Sequence, residues 1–172
     1  MYQLKVDGSE RYVVAGSGSL SRGDVLFDRV TGTVLDKPVR HSVQVEEGIH
    51  LDCDSDMRFI NHSCDPNCRM EVFPSANGNE EPHVRVSVIA NTIQPGDVVS
   101  VDYNTFELNM GSPFDCMCGA ALCRGRIAGF ARLPVAIREE YLQQNGDLKR
   151  PNLLTRLVRS WGEANRDAPP IK

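Results

Sequence analysis

Short runs of alternating or β-branched residues open the chain at 2–6, 10–15 and 24–30, punctuated by Asp7-Gly8, Gly16-Ser17-Gly18-Ser19 and Thr31-Gly32. Runs of this length between turn residues predict short strands in tight succession. Val84-Arg85-Val86-Ser87-Val88-Ile89 alternates strictly, which predicts a half-buried strand over 83–90, with a partner over 69–73 across the polar loop 74–82. Pro95-Gly96 marks a further turn, and the apolar run that follows predicts a strand over 97–101. Residues 36–57 are polar apart from Val39, Val43, Val45, Ile49 and Leu51, and carry no clear period. The pattern changes after Gly129. Pro134 suits a first helical turn, Ile137, Tyr141 and Leu142 share a face over 134–144, and Asn145-Gly146 ends that helix. Leu153, Leu154, Leu157, Val158 and Trp161 predict a second amphipathic helix over 151–163, followed by a frayed tail at Asp167-Ala168-Pro169-Pro170. The fold class is therefore mainly β with a C-terminal helical extension.

Length and charge narrow this picture. A chain of 172 residues with 41% hydrophobic content can bury one core, not two. A net charge of −4 argues against general nucleic-acid binding through a basic surface, and no apolar run reaches membrane-spanning length. With no apolar N-terminal run, the expectation is a soluble intracellular protein, cytoplasmic or nuclear. In that setting six clustered cysteines point to metal rather than to disulfides.

The chemistry concentrates in two stretches. Arg58-Phe59-Ile60-Asn61-His62-Ser63-Cys64-Asp65-Pro66-Asn67-Cys68 is too polar for a plain strand and too restricted for a linker. Some fifty residues on, Cys116, Cys118 and Cys123 stand in C-x-C-x4-C spacing around Gly119. Three clustered thiols leave a tetrahedral zinc one ligand short, and Cys64 is the natural fourth. Cys53 and Cys68 fall outside this set and read as core residues. His41, His50 and His83 read as surface or internally satisfied histidines.

Together these stretches resemble the SET-domain family of lysine methyltransferases. The resemblance rests on Arg-Phe-Ile-Asn-His-Ser-Cys-x-Pro-Asn at 58–67, on Val101-Asp102-Tyr103 after Ile93-Gln94-Pro95-Gly96-Asp97, and on the cysteine tail at 114–125. It implies a SET domain over 1–110, built of three small sheets with residues 58–68 threaded past 101–104. A post-SET zinc-binding segment over 111–130 and a helical extension over 131–172 follow. It further implies that Asn61 and His62, with Arg58, Phe59, Tyr12 and Phe114, receive S-adenosylmethionine, and that Tyr103 is catalytic where the amine meets the methyl donor. Phe106 and Phe114 are candidate channel walls. The insert at 36–57 corresponds to one wall of the substrate groove, short enough here to predict a groove open on that side.

Three positions depart from the family pattern. Where it has Gly-x-Gly, this chain has Glu10-Arg11-Tyr12; Val101 stands where Phe or Tyr is usual; and Val98 replaces a common Glu. The expected function is S-adenosylmethionine-dependent methylation of a protein lysine or a small amine substrate. The alternatives are a SET scaffold acting on a small molecule without methyl transfer, and a zinc-stabilised interaction module that forms a homodimer through its C-terminal helices.

Overall fold

The structure, a computed structural model, describes residues 2–75 and 80–145. In chain order its strands are β1 (Tyr2–Asp7), β2 (Glu10–Ala15), β3 (Leu20–Ser21), β4 (Val25–Val30), β5 (Gly32–Leu35), β6 (Ser42–Glu46) and β7 (Ile49–Cys53). These are followed by β8 (Asn61–His62), β9 (Cys68–Phe73), β10 (His83–Val88), β11 (Thr92–Ile93), β12 (Ser100–Val101), β13 (Phe114–Asp115) and β14 (Arg126–Ile127), and the helix α1 spans Val135–Asn145. β1 and β2 form a hairpin in which Tyr2 faces Ala15 and Asp7 faces Glu10, turned by Gly8 at φ 59°. A glycine there reaches positive φ without the clash a side chain meets.

Among the described residues the strands form two three-stranded sheets, β4-β10-β9 and β5-β7-β6, and four two-stranded pairs. This is more fragmented than three small sheets, because pairs only two residues long leave no period in the sequence. The strand expected over 97–101 is likewise confined to Ser100–Val101, with Val98 making one isolated bridge to Val14. Val13, Val45, Leu51, Val84, Val86, Val99 and Val101 are fully buried in one core cluster, which also takes Cys53 and Cys68.

The largest departure from expectation is the insert. Residues 42–53 carry two paired strands of a sheet where the sequence showed no clear period, and Val43, Gln44, Val45, His50 and Leu51 are all buried. Gln44 tolerates burial because its carboxamide accepts the Leu108 N–H at 2.8 Å and donates to the Glu46 carbonyl at 3.1 Å.

A second, smaller cluster joins Phe130, Leu133 and Tyr141, with Leu108 and Ile137 packed against it, and so ties α1 to the sheets. The side chain of Leu142 and the helix expected over 151–163, with any self-association through it, lie outside the described residues. Gly129 makes the junction possible. It sits at φ 100°, and a Cβ there would lie 2.6 Å from the Leu108 carbonyl oxygen. Gly129→Ala should therefore lower stability by about 1–3 kcal/mol or more, the range for a side chain forced into a glycine-only conformation. Urea denaturation checks it, and an unchanged midpoint would show that the junction relaxes freely.

Candidate functional site

The site is built on a crossing of two distant segments. β8 lies parallel to β12, with Asn61 opposite Ser100 and His62 opposite Val101, and the Ser63 N–H donates to the Val101 carbonyl at 3.0 Å. Asn67 clamps the crossing. Its Oδ1 accepts the Ser100 N–H at 2.9 Å, its Nδ2 donates to the Val98 carbonyl at 2.8 Å, and its own carbonyl accepts from Ile89 and Ala90. Parallel pairing of strands this short needs such side-chain support, since a parallel ladder requires a long crossover.

Tyr103 follows directly, in a 3-10 turn over Tyr103–Thr105 capped by Asp102. Its hydroxyl donates to the Ile60 carbonyl at 2.6 Å, and its ring meets His62, Phe106 and Phe114 at centroid distances of 5.3, 5.7 and 6.0 Å. Burial, with the Glu107 carboxyl nearby, pushes its phenol up to about 12, so it is neutral near neutral pH.

Two hollows meet at this ring. A broad cleft of about 710 Å³ is lined by Arg11, Arg58, Phe59, Asn61, His62 and Phe114 among others, and a small cavity of about 50 Å³ is lined by Met57, Met70, Phe106 and Glu107 among others. Ile60 and Tyr103 line both. Arg11 crosses the face of Phe59 at 5.4 Å. Tyr12, next along β2, points away by strand alternation and does not line the cleft. Arg58 is partly spoken for, since it donates to the Cys53 carbonyl and approaches Asp52 and Asp54 at 3.9 and 3.8 Å. His41 lines both hollows rather than the plain surface, and His50 is buried with its Nδ1 lacking a partner among the described residues.

The thiols of Cys64, Cys116, Cys118 and Cys123 all lie within 4.8 Å of one another, and none is in a disulfide. Cys64 and Cys116 are 4.0 Å apart at sulfur. Four sulfurs around zinc at about 2.3 Å stand about 3.8 Å from each other, so the donor set fits a tetrahedral zinc. N–H groups of Cys64 and Ala120 hold the Cys118 thiol down at about 6, whereas burial raises Cys64 to about 11 and Cys116 to about 12. Cleft and cluster touch through His62, whose Nδ1 accepts the Tyr103 N–H at 3.2 Å, leaving the proton on Nε2 to face the Cys64 sulfur at 3.3 Å. Burial lowers this ring's basicity, against the pull of Asp102.

Residues 11–104 match the pattern of the SET domain. The chain belongs to the SET domain family. It is 29% identical over 119 residues to Methyltransferase flvH of Aspergillus flavus, covering 67% of this chain and 61% of that protein. To Histone-lysine N-methyltransferase ash1 of Drosophila melanogaster it is 28% identical over 145 residues, covering 71% of this chain and 6% of that protein. The chain thus spans less than two thirds of the length of either relative. Its fold matches the crystal structure of KRYPTONITE in complex with mCHH DNA, H3(1-15) peptide and SAH, at a TM-score of 0.55 and 22% identity over 73% of this chain and 29% of that one.

This SET domain also carries polar residues to which the motifs assigned no role. Asp102 is buried, accepts from the backbone and the side chain of Asn104 at 3.0 and 3.1 Å, and receives the Tyr141 hydroxyl. Arg124 donates to the Tyr141 oxygen at 2.9 Å, and its backbone N–H donates to the Cys64 sulfur at 3.3 Å. Asp102 could have been flagged by its place beside Tyr103, whereas Tyr141 resembled a core residue at helical spacing. Glu107 is 4% exposed, and its only sequence signal is an acidic residue beside Phe106.

Two outcomes follow from this geometry. Freshly purified protein should hold about one equivalent of zinc, and Cys118→Ser should lose most of it; less than about half an equivalent in the wild type would count against a structural site. For Glu107, burial pushes the carboxyl up to about 8 from an ordinary 4.5, against the N–H of Gln44, which favours the charged form. The fold therefore favours the protonated acid, and its stabilising contribution is complete below the ordinary value and lost as pH rises toward the folded one. The loss runs at up to about 1.4 kcal/mol per pH unit within that window. Glu107→Gln, which stays neutral, should gain melting temperature relative to wild type between about pH 5 and pH 9. Parallel curves would mean that the carboxyl is solvated.

Proposed function

We propose that this SET domain moves a methyl group from S-adenosylmethionine to a lysine side chain of a protein. The observation that carries the reading is the position of Tyr103, in the shared lining of a cleft of donor size and a small cavity with an apolar wall. A volume of about 710 Å³ lies in the range of small-molecule sites. About 50 Å³ suits a slender chain, not a ring. The printed names of relatives, among them Histone-lysine N-methyltransferase ash1, support protein lysine as the substrate class.

In this reading Asn61, His62, Arg58, Phe59 and Phe114 receive the donor in the cleft, and the four cysteines hold zinc that pins residues 111–130 beside it. On this proposal the chain divides at 1–110, 111–130 and 131–172. The donor supplies an electrophilic methyl on a sulfonium, so the protein's task is alignment and exclusion of water. Tyr103 is suited to alignment. Its proton is committed to the Ile60 carbonyl, which leaves the oxygen lone pairs to accept an amine N–H or a polarised methyl C–H at the junction.

Arg11 takes the role that the Gly-x-Gly backbone would otherwise have. It lines the cleft, lies over Phe59, and makes no ion pair among the described residues, so its guanidinium is placed to meet the donor's carboxylate.

Radiolabelled transfer to core histones tests the activity, and Tyr103→Phe should slow it about a hundred- to ten-thousand-fold with little change in melting temperature. Calorimetry that finds no binding at millimolar S-adenosylmethionine would sink the reading. Arg11→Ala should weaken the donor by about 1.5–3 kcal/mol. Methylthioadenosine, which lacks the amino-acid end, should bind both proteins alike. If both ligands weaken equally, Arg11 acts only as packing for Phe59.

A further inference from the structure

The cavity beside Tyr103 has an apolar wall of Met57, Ile60, Met70 and Phe106 and a polar side that includes Arg40, His41 and Arg58, and Glu107 is the one carboxyl in its lining. Its backbone is fixed on both sides. The Glu107 N–H donates to the Tyr103 carbonyl at 3.0 Å, and the Glu107 carbonyl accepts the Phe130 N–H at 2.8 Å. Its Oε1 accepts the Gln44 N–H at 2.9 Å from β6, and its Oε2 has no hydrogen-bond partner among the described residues. The charged or titratable groups around the same cavity are Arg40, His41, Arg58 and Tyr103, and none of them pairs with Glu107. A buried acid with one donor and no counter-ion is disfavoured by folding alone, and such groups concentrate where a ligand completes them.

We propose that Glu107 is the counter-ion and proton acceptor for the substrate amine, a role that rests on reading the cavity as the amine channel. The ammonium enters along the apolar wall and hydrogen-bonds to Oε2. One N–H bond then breaks and an O–H bond forms on the carboxylate. The electron pair stays on nitrogen, so an ion pair becomes a neutral acid beside a neutral amine whose lone pair lies next to Tyr103. No further reactant is needed. An acid held at about 8 by burial lies much nearer to an amine in basicity than one at 4.5, so the proton can be shared in either direction. The same carboxyl makes the cavity selective for an alkylammonium over an alcohol of equal length.

The test uses the whole chain labelled with 13C at its methionine methyls, since Met57 and Met70 line the cavity. At about pH 9, where the acid is ionised and an alkylamine still protonated, n-butylammonium should shift both signals saturably in wild type and bind about tenfold more weakly to Glu107→Gln. n-Butanol should bind the two proteins equally. On core histones, kcat/KM of Glu107→Gln should fall furthest below wild type near pH 8–9. The gap should close toward about pH 10.5, where free lysine is already neutral. Glu107→Asp, which keeps the acid, should restore part of the n-butylammonium affinity. Equal n-butylammonium affinity in wild type and Glu107→Gln, or a kinetic deficit that is uniform with pH, would overturn the assignment. Absence of donor binding would overturn the methyl-transfer reading instead, while the n-butylammonium titration would still decide the role of Glu107.

Discussion

Everything at this site depends on two residue pairs. Asn61–Ser100 and His62–Val101 set side by side two segments about forty residues apart, and Asn67 supplies the hydrogen bonds that so short a ladder lacks. Neither segment could hold its shape alone: a two-residue strand has almost no cooperative stability, and the loops between them cost closure entropy. The crossing is affordable because Val99 and Val101 are fully buried beneath it. Once formed, it places three chemistries within a few residues. Asn61 faces the cleft, Cys64 turns toward the thiol tail, and Tyr103 stands at the mouth of the cavity.

The C-terminal part is fastened to this crossing twice, on opposite sides of His62. On one side Cys64 joins the three tail thiols. On the other Asp102 takes the Tyr141 hydroxyl from α1. Arg124 links the two fastenings through its backbone to Cys64 and its side chain to Tyr141. Loss of the metal would therefore loosen more than a surface loop. It would also free one end of a polar chain that leads to the turn carrying Tyr103, and buried polar chains of this kind lose more than one bond when a member is removed.

Local patterns were legible where local forces dominate. Alternation at 84–89 and glycine punctuation near Gly8 carried β10 and the first hairpin, because one buried face and one turn suffice to specify each. The sheet at 42–53 was not legible. Val43, Gln44 and Val45 are buried on both faces, and a polar residue inside a doubly buried strand breaks the period that would reveal it. What makes Gln44 acceptable there is Leu108, sixty-four residues away, which no window can see. For the site, the motif at 58–67 and the thiol spacing identified residues that the fold does bring into contact, among them His62, Cys64 and Tyr103. Tyr12 followed the family register and ended on the other face of its strand. Glu107 had no pattern, and the helical spacing of Tyr141 marked it only as a packing residue, since the polar contacts of both are long-range.

Two buried carboxyls flank Tyr103, and their surroundings separate their roles. Asp102 is saturated: two donors from Asn104 and one from Tyr141 occupy its oxygens, and it caps the turn that bears the tyrosine. Such an acid is scaffold. Glu107 has one donor and one open oxygen, on the cavity side, and burial makes its charged form costly until a cation arrives. The insert supplies that single donor through the Gln44 N–H. The β5-β7-β6 sheet is thereby drawn into the site beside the β8–β12 crossing, where it sets how readily the acid gives up its proton. Two acids on either side of one reactive position, differing in how fully they are satisfied, are how a fold separates holding a group in place from exchanging a proton with it.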